Sequence, residues 1–308
     1  MGSYLVTGVA GFIGAAVAAA LMKAGHEVVG LDNLSTGFRE NVPQGVLFFE
    51  GNCQDSRMYS EVLPSKKYDA IFHIAGQSSG EVSFDDPVYD LRTNTESTLL
   101  LLRFAQSVNC RRFIYASSMS VYGPKPDEPV SEDSPTFPAS FYGVGKLASE
   151  HYLRLYEEFG IRSTSLRLFN VYGPGQNMAN LRQGMVSIFM SMMLKDKHIH
   201  VKGSPNRYRD FVYIDDVVAA FLACLDNPGS SGKAINIGGS GKVLVGDLVE
   251  KLIALPFEPV TVEYSGCTPG DIHGIHADCT LAARLLGYEA EVYLEEGLDR
   301  MYASYKGK

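Results

Sequence analysis

The stretch TGVAGFIG, Thr7 to Gly14, decides how the rest of this chain is read. Its glycines at 8, 11 and 14 follow the apolar run YLVTG (4–8) and open an Ala-rich segment, GFIGAAVAAALMKAG (11–25). That order predicts a strand, a tight turn and a helix ending at Gly25. Gly8 permits the turn. Gly11 lets the backbone approach a pyrophosphate at the positive end of the helix, and Gly14 lets the helix lie close to the strand. A glycine triplet is weak by itself in a chain with 31 glycines among 308 residues. Context strengthens it, because the next apolar run, HEVVGLD (26–32), ends in Asp32, eighteen residues after Gly14. An acid there accepts both ribose hydroxyls and repels a 2′-phosphate. The pattern predicts dinucleotide binding, with NAD preferred over NADP.

Working outward, GVLFFEG (45–51), AIFHIAG (70–76) and RRFIYASS (111–118) read as further strands. Most are apolar throughout rather than alternating, as strands covered on both faces are. Helices are predicted at 55–63 and 86–109, the second with Asp86 as N-cap and Pro87 at its first position. Another is predicted at 140–159, beginning at Ser140, and it leads into the strand RSTSLRLFN (162–170). Strands alternating with helices imply right-handed crossovers and a parallel sheet. Beyond Gly173 the pattern loosens, apart from FVYIDDVVAAFLACL (211–225), which reads as a strand turning into a helix. The fold class expected is α/β, a Rossmann-type doubly wound parallel sheet with a smaller, partly interleaved C-terminal substrate region. The boundaries expected are 1–171 for the dinucleotide-binding domain, with a return at about 211–238, and 172–308 for the substrate region.

Composition excludes other classes. Of the residues, 45% are hydrophobic and 20% charged, an ordinary globular balance. A net charge of -8 makes nucleic acid and anionic membrane poor partners. The five cysteines, at 53, 110, 224, 267 and 279, have no zinc-ligand spacing, and no metal site is expected. Scattered thiols fit a reducing compartment, no signal-peptide pattern precedes the first strand, and no apolar run spans a bilayer. These features predict a cytoplasmic protein.

Two further stretches carry chemistry. FYGVGK places Tyr142 and Lys146 four residues apart, one helical turn on the same face. A tyrosine with a pKa of about 10 must lose about three units to act as a base near neutral pH, roughly 4 kcal/mol. A neighbouring ammonium and a cationic nicotinamide have the right sign to supply this. Gly143 and Gly145 together cost about 2 kcal/mol in a helix interior, so something packs closely on that face. SSMSVYG (117–123) reads either as a strand end whose hydroxyls cap a turn or as a strand end presenting a serine to substrate.

Taken in order, the glycine loop, DNLSTG (32–37), HIAGQ (73–77), NTESTLLLL (94–102), SSMSVYG, YGVGK, RLFNVYGPGQ (167–176), RDFVYIDDV (209–217) and PGDIHGIHAD (269–278) resemble the extended short-chain dehydrogenase/reductase family. The resemblance is to its nucleotide-sugar epimerase/dehydratase branch and runs the whole length. It implies that Ser118 hydrogen-bonds the sugar 4-hydroxyl, that Tyr142 takes its proton, and that Lys146 binds nicotinamide ribose and keeps Tyr142 acidic. Ser117 and Ser120 are then expected to have structural or supporting roles. The implied NAD contacts are Gly8, Gly11, Phe12, Ile13, Gly14, Asp32, Asn33, Ser35, Thr36 and Gly37. Asn52 and Cys53 fall near adenine, and Ile74, Ala75, Gly76, Gln77, Asn94 and Ala116 complete the set with Tyr142 and Lys146. The implied substrate contacts are Gln77, Ser78, Ser118, Met119, Ser120, Phe169 and Asn170, followed by Asn180, Leu181, Arg182, Arg209 and Asp271. NLRQGMVSIF (180–189) is expected to begin a helix with its amides toward phosphate.

The related dehydratases carry an Asp-Glu pair after the hydroxyl residue, and the related decarboxylases a Glu. This chain has Met119 and Ser120 there, neither a useful acid or base. The resemblance therefore implies a 4-epimerase of the UDP-galactose type, with a UDP-sugar as substrate and a homodimer built on the helices at 86–109 and 140–159. A reductase or dehydrogenase of the same fold, or a non-catalytic NAD sensor, are the alternatives. One motif departs: Thr268 stands where the family has a diphosphate-clamping Arg, a contact of roughly 1.5–3 kcal/mol. Either Arg182 or Arg207 substitutes for it, or the nucleotide pose is altered and the natural substrate is not plain UDP-galactose.

Overall fold

The computed structural model describes residues 1–267 and 272–306. Seven strands form its main sheet: β1 (Ser3–Thr7), β2 (Glu27–Asp32), β3 (Leu47–Glu50), β4 (Ala70–His73), β5 (Arg112–Ser118), β6 (Arg162–Leu168) and β10 (Lys233–Ile237). Their order is β10-β6-β5-β4-β1-β2-β3, and every pairing is parallel. Alternation along each strand divides the side chains between two cores, which is why these runs are apolar throughout. Tyr4, Val6, Phe72 and Ile114 face α1 (Phe12–Lys23) and α6 (Ile214–Asp226), meeting Val17, Leu21 and Phe221. Leu5, Ile71, Phe113 and Tyr115 face the opposite side, where they meet Leu101, Leu102 and Leu153.

A third core belongs to the second half of the chain. Phe189, Met190 and Met193 of α5 (Met185–Asp196) pack with Ile199 and Val201 of β8 (His198–Lys202) and with Val245 and Leu248 of α7 (Val245–Ile253). Two small sheets frame it. β7 (Asn170–Tyr172) pairs in parallel with β9 (Tyr208–Tyr213), which pairs antiparallel with β11 (Lys242–Leu244), and β8 pairs with β12 (Thr261–Ser265).

Several elements depart from their sequence reading. The expected helix at 55–63 is a single wide turn, Met58–Val62. The helix expected at 86–109 does start at Asp86, whose carboxylate accepts the Tyr89 N–H, but it is interrupted. α2 (Pro87–Leu91) passes through a wide turn at Arg92–Glu96 into α3 (Ser97–Ser107). There the Thr93, Ser97 and Thr98 hydroxyls donate to carbonyls three and four residues back, and such bulges cluster at functional sites. The strand expected over 162–170 divides after Phe169, whose N–H still donates to Ile237 O of the main sheet, while Asn170 pairs with Phe211 of β9 and so begins another sheet. The helix expected from 180 begins only at Met185, because Gly184 holds φ at +85°. Among the described residues no helix is long and apolar enough to cross a membrane.

Candidate functional site

The strand order reverses between β1 and β4, and in a parallel sheet the crevice beyond that point receives ligands. Its floor is rigid. The Thr7 hydroxyl lies 2.8 Å from His73 Nδ1 and accepts the N–H groups of Ile74 and Ala75. Burial pushes His73 down to about 3, so this ring stays neutral. Two adjoining cavities open here, of about 370 and 430 Å³. Phe12, Ile13, Ile74, Gly76 and Ser78 line both.

The smaller cavity lies over the glycine turn. Gly8 has φ +74°, and a Cβ on Gly14 would overlap Gly8 O. The first turn of α1 has no side-chain cap and no acid, so its amides face the cavity uncompensated. Asp32 at the end of β2 accepts the Ala10 N–H at 3.0 Å and the Leu34 N–H at 2.8 Å, one on each carboxylate oxygen. Asn33, Ser35, Thr36, Gly37, Cys53, Ala75 and Gln77 also line it. Burial pushes the Cys53 thiol up to about 12, so it stays neutral. Uncapped amides at one end and a carboxylate at the other fit a dinucleotide's phosphates and ribose.

Two expected cofactor residues stand back from this wall. Asn52 accepts from Asn33 Nδ2, a residue that lines the cavity, at 2.7 Å. Asn94 is buried behind Gly76, donating to Gln77 O and to Asp90 Oδ1, while its own Oδ1 has no hydrogen-bond partner. Ala116 lines the larger cavity instead. Asn180, expected with the substrate, lines the smaller one, because residues 176–183 cross between the two.

The larger cavity is bounded by the end of β5 and by α4 (Phe141–Leu155). Ser140 caps α4 by accepting the Gly143 N–H at 3.1 Å. Tyr142 and Lys146 face the cavity from one side of that helix, and Ser118, Met119 and Ser120 face it from the turn after β5. The Ser118 hydroxyl accepts the Ser120 N–H and donates to Ser120 Oγ, both at 3.2 Å. Gly143 and Gly145 account for the close packing expected of this helix. A Cβ on Gly143 would stand 2.5 Å from Ser120 O, and one on Gly145 3.2 Å from Thr95 Oγ1.

Burial sets the charge state of this wall. Lys146 Nζ donates to Ala116 O at 2.8 Å and lies 4.8 Å over the Tyr115 ring and 5.6 Å from the Tyr142 ring centroid. Desolvation pushes Lys146 down to about 8, opposed by Asp90 and Glu150. Desolvation pushes Tyr142 up to about 12, opposed by its hydrogen bond to Ser118 and reinforced by Asp90. Both shifts work against a tyrosinate beside an ammonium.

Phe169, Asn170 and Arg209 line the deeper part of the cavity. Asn170 Nδ2 donates to Asp210 O at 3.0 Å. The Arg209 guanidinium donates to Tyr208 O at 2.7 Å and Ile272 O at 3.1 Å. The acids beside it in sequence are engaged elsewhere: Asp215 lies 3.7 Å from Arg300, and Asp210 accepts the amides of Gly239 and Ala277. Leu181 and Arg182 line the mouth, where Arg182 lies 2.6 Å from Asp85 and 3.8 Å from Glu81. Thr268 and Asp271 lie outside the described residues.

Sequence reasoning missed Ser79, Glu81, Gln176, Gln183, His200 and Lys202, all on this wall. HIHVK carried a usable signal, since a period of two puts His200 and Lys202 on one face of β8. Among the described residues no three His, Cys, Asp or Glu side chains could hold a metal.

The model of the NAD-dependent epimerase/dehydratase family matches residues 4–238. The UDP-glucose 4-epimerase of Mycolicibacterium smegmatis is 34% identical over 311 residues, covering 99% of this chain and 98% of its own. The Thermotoga maritima UDP-glucose 4-epimerase, solved with UDP-glucose, superposes with a TM-score of 0.93 at 34% identity and 99% coverage of both chains. A variant of the Bacillus cereus UDP-glucuronic acid 4-epimerase, solved with a fluorinated UDP-glucuronic acid and NAD, superposes at 0.91 with 30% identity and 99% coverage of both. The cofactor is NAD. A Gly14→Ala protein, whose new Cβ collides with the turn, is predicted to carry less than a tenth of the wild-type nicotinamide nucleotide. Acid release and absorbance quantify it, and an equal NAD content would contradict the phosphate assignment.

Proposed function

This chain belongs to the NAD-dependent epimerase/dehydratase family, and from that premise we propose that it is a nucleotide-sugar 4-epimerase. One observation carries the reading. Ser118, Tyr142 and Lys146 share a wall on which the two residues after Ser118 are Met119 and Ser120. A hydroxyl, a phenol and an ammonium are what oxidation of a sugar alcohol requires. The acid–base pair that expels water from the ring is missing from that turn.

NAD, when bound, supplies a reversible hydride acceptor and a ring cation of the sign that lowers the Tyr142 pKa. The protein's own groups do the rest. Ser118 Oγ orients the sugar 4-hydroxyl, and Tyr142 Oη removes its proton as C4 is oxidised. Lys146, held on Ala116 O, stabilises the phenolate and spends its remaining N–H groups on ribose. Rotation of the 4-keto sugar, return of the hydride to the other face of C4 and return of the proton from Tyr142 Oη to the C4 oxygen would give the epimer. The diphosphate is proposed to lie against Asn170 and Arg209, with Arg182, Lys202 and Arg207, which line the same cavity, supplementing the charge that Thr268 does not provide. UDP is the proposed nucleotide, because the relatives named above act on or bind UDP-sugars.

The purified protein, with no cofactor added, is expected to convert UDP-galactose or a related UDP-sugar to its 4-epimer, read in the anomeric proton region by NMR. Tyr142→Phe should lower turnover by at least 10³-fold while retaining NAD; wild-type turnover in that variant would remove Tyr142 from its role. A pH profile tests the electrostatics. Asp90 raises both Lys146 and Tyr142, so losing its charge lets both deprotonate at lower pH. Asp90→Asn should therefore move both limbs of the kcat profile toward acid, and an unmoved profile would contradict this.

We also propose a homodimer through the outer face of α2 and α4. Phe84 and Phe141 meet edge to face there, and Val88, Leu91 and Val144 stand 60%, 57% and 54% exposed. Apolar side chains at this density commonly mark a protein interface. Leu91→Arg should convert a dimer to a monomer in light scattering, and a wild-type monomer would sink the assignment.

A further inference from the structure

Behind the turn that presents Ser118, a chain of buried polar side chains joins four elements. Glu150 lies on α4 one turn beyond Lys146, and Lys146 lies one turn beyond Tyr142. Arg167 of β6 meets Glu150 with two parallel bonds, Nε to Oε1 at 3.0 Å and Nη2 to Oε2 at 2.7 Å, and both side chains are under a tenth exposed. The Ser117 hydroxyl donates to the same Oε1 at 2.5 Å. On its other side Arg167 Nη1 donates to Tyr122 Oη at 2.9 Å, and its guanidinium lies 4.9 Å over the Tyr122 ring. Tyr122 Oη donates in turn to Asn236 Oδ1 of β10 at 2.6 Å. Glu150, Arg167, Tyr122 and Asn236 line neither cavity.

The placement is specific. Ser117 stands immediately before Ser118, and Tyr122 immediately after the turn Met119–Val121. The segment carrying Ser118, Met119 and Ser120 is thus held at both ends by one Arg–carboxylate pair. That carboxylate sits on the helix that carries Tyr142. A fork-to-fork pair fixes angle as well as distance, and a buried one tolerates little slack. Such pairs add little net stability over apolar packing, so geometry is the property left to explain this one.

We propose that Glu150 and Arg167 are a positioning pair that sets the Ser118 hydroxyl against the Tyr142 phenol, acting through Ser117 and Tyr122. The proposal rests on the 4-epimerase reading, because it presumes that Ser118 and Tyr142 act on one sugar hydroxyl. Reactions of this kind lose rate steeply when reacting groups shift by an ångström. Glu150 also helps keep Lys146 charged, through its own negative charge.

Removing Glu150 or Arg167 leaves a buried charge unpaired and endangers folding, so the test cuts the two links instead. Ser117→Ala and Tyr122→Phe each delete one hydroxyl and keep the ion pair. On NAD-loaded protein with the UDP-sugar that wild type turns over, each should lower kcat about tenfold, about 1.4 kcal/mol. KM should stay within twofold, since neither residue grips the nucleotide. The double variant should lose less than the product of the single losses, because both links serve one turn. A kcat within twofold of wild type in both single variants overturns the proposal, and so does a fully multiplicative double variant. Tyr142→Phe, assayed alongside, isolates the underlying reading: inactive, it leaves that reading standing whatever Ser117→Ala does; active, it removes both.

Discussion

Helix α4 and the turn after β5 meet backbone to backbone. Ser120 O lies where a Cβ on residue 143 would stand at 2.5 Å, so the approach exists only because that residue is glycine. Everything proposed for the site depends on it. With the helix this close, Tyr142 and Lys146 reach the cavity that Ser118 enters from the strand end. Lys146 can also set its ammonium on Ala116 O, tying the helix to β5 a second time. A side chain at 143 would push the helix outward and separate the phenol from the serine. The roughly 1 kcal/mol that each glycine costs in a helix is small beside that loss.

The same closeness creates an electrostatic problem. Burial holds Tyr142 high and Lys146 low, so the folded chain disfavours the charged forms the proposed chemistry needs. Two acids answer on the lysine side. Asp90, from α2, accepts from Gln77 and Asn94, and Glu150, from α4, is paired with Arg167. Both raise Lys146, while Asp90 also raises Tyr142. The balance is tuned by groups on three different helices and strands rather than by the Tyr–Lys spacing alone.

Much of the fold was legible because its signals are local. The glycine turn, the apolar strands, Asp86 as a cap and Ser140 as a cap each follow from a few adjacent residues. Where the sequence reading failed, something distant intervened. The wide turn at Arg92–Glu96 faces the backbone of α4, with Thr95 Oγ1 donating to Gly145 O. The run 162–170 splits because Asn170 leaves the main sheet to pair with Phe211 of β9, a strand distant in the sequence.

By itself, the sequence determined a dinucleotide turn with an acid at the end of the second strand and a Tyr–Lys pair one helical turn apart, and it placed Met119 and Ser120 where the dehydratases it resembles carry an acid pair. The turn and the Tyr–Lys pair depend on spacings of a few residues, which helix and strand geometry convert directly into position. Only the tertiary structure decided which of the two serine hydroxyls is tied to a buried carboxylate. Ser117 and Ser118 are neighbours of the same type and both reach the cavity wall, but the Ser117 hydroxyl is engaged by Glu150 and the Ser118 hydroxyl by Ser120 beside it. It also decided that His200 and Lys202 join Arg182 and Arg209 on one wall. Those groups come from separate loops and strands, and their meeting is set by how three cores pack, which no local spacing encodes.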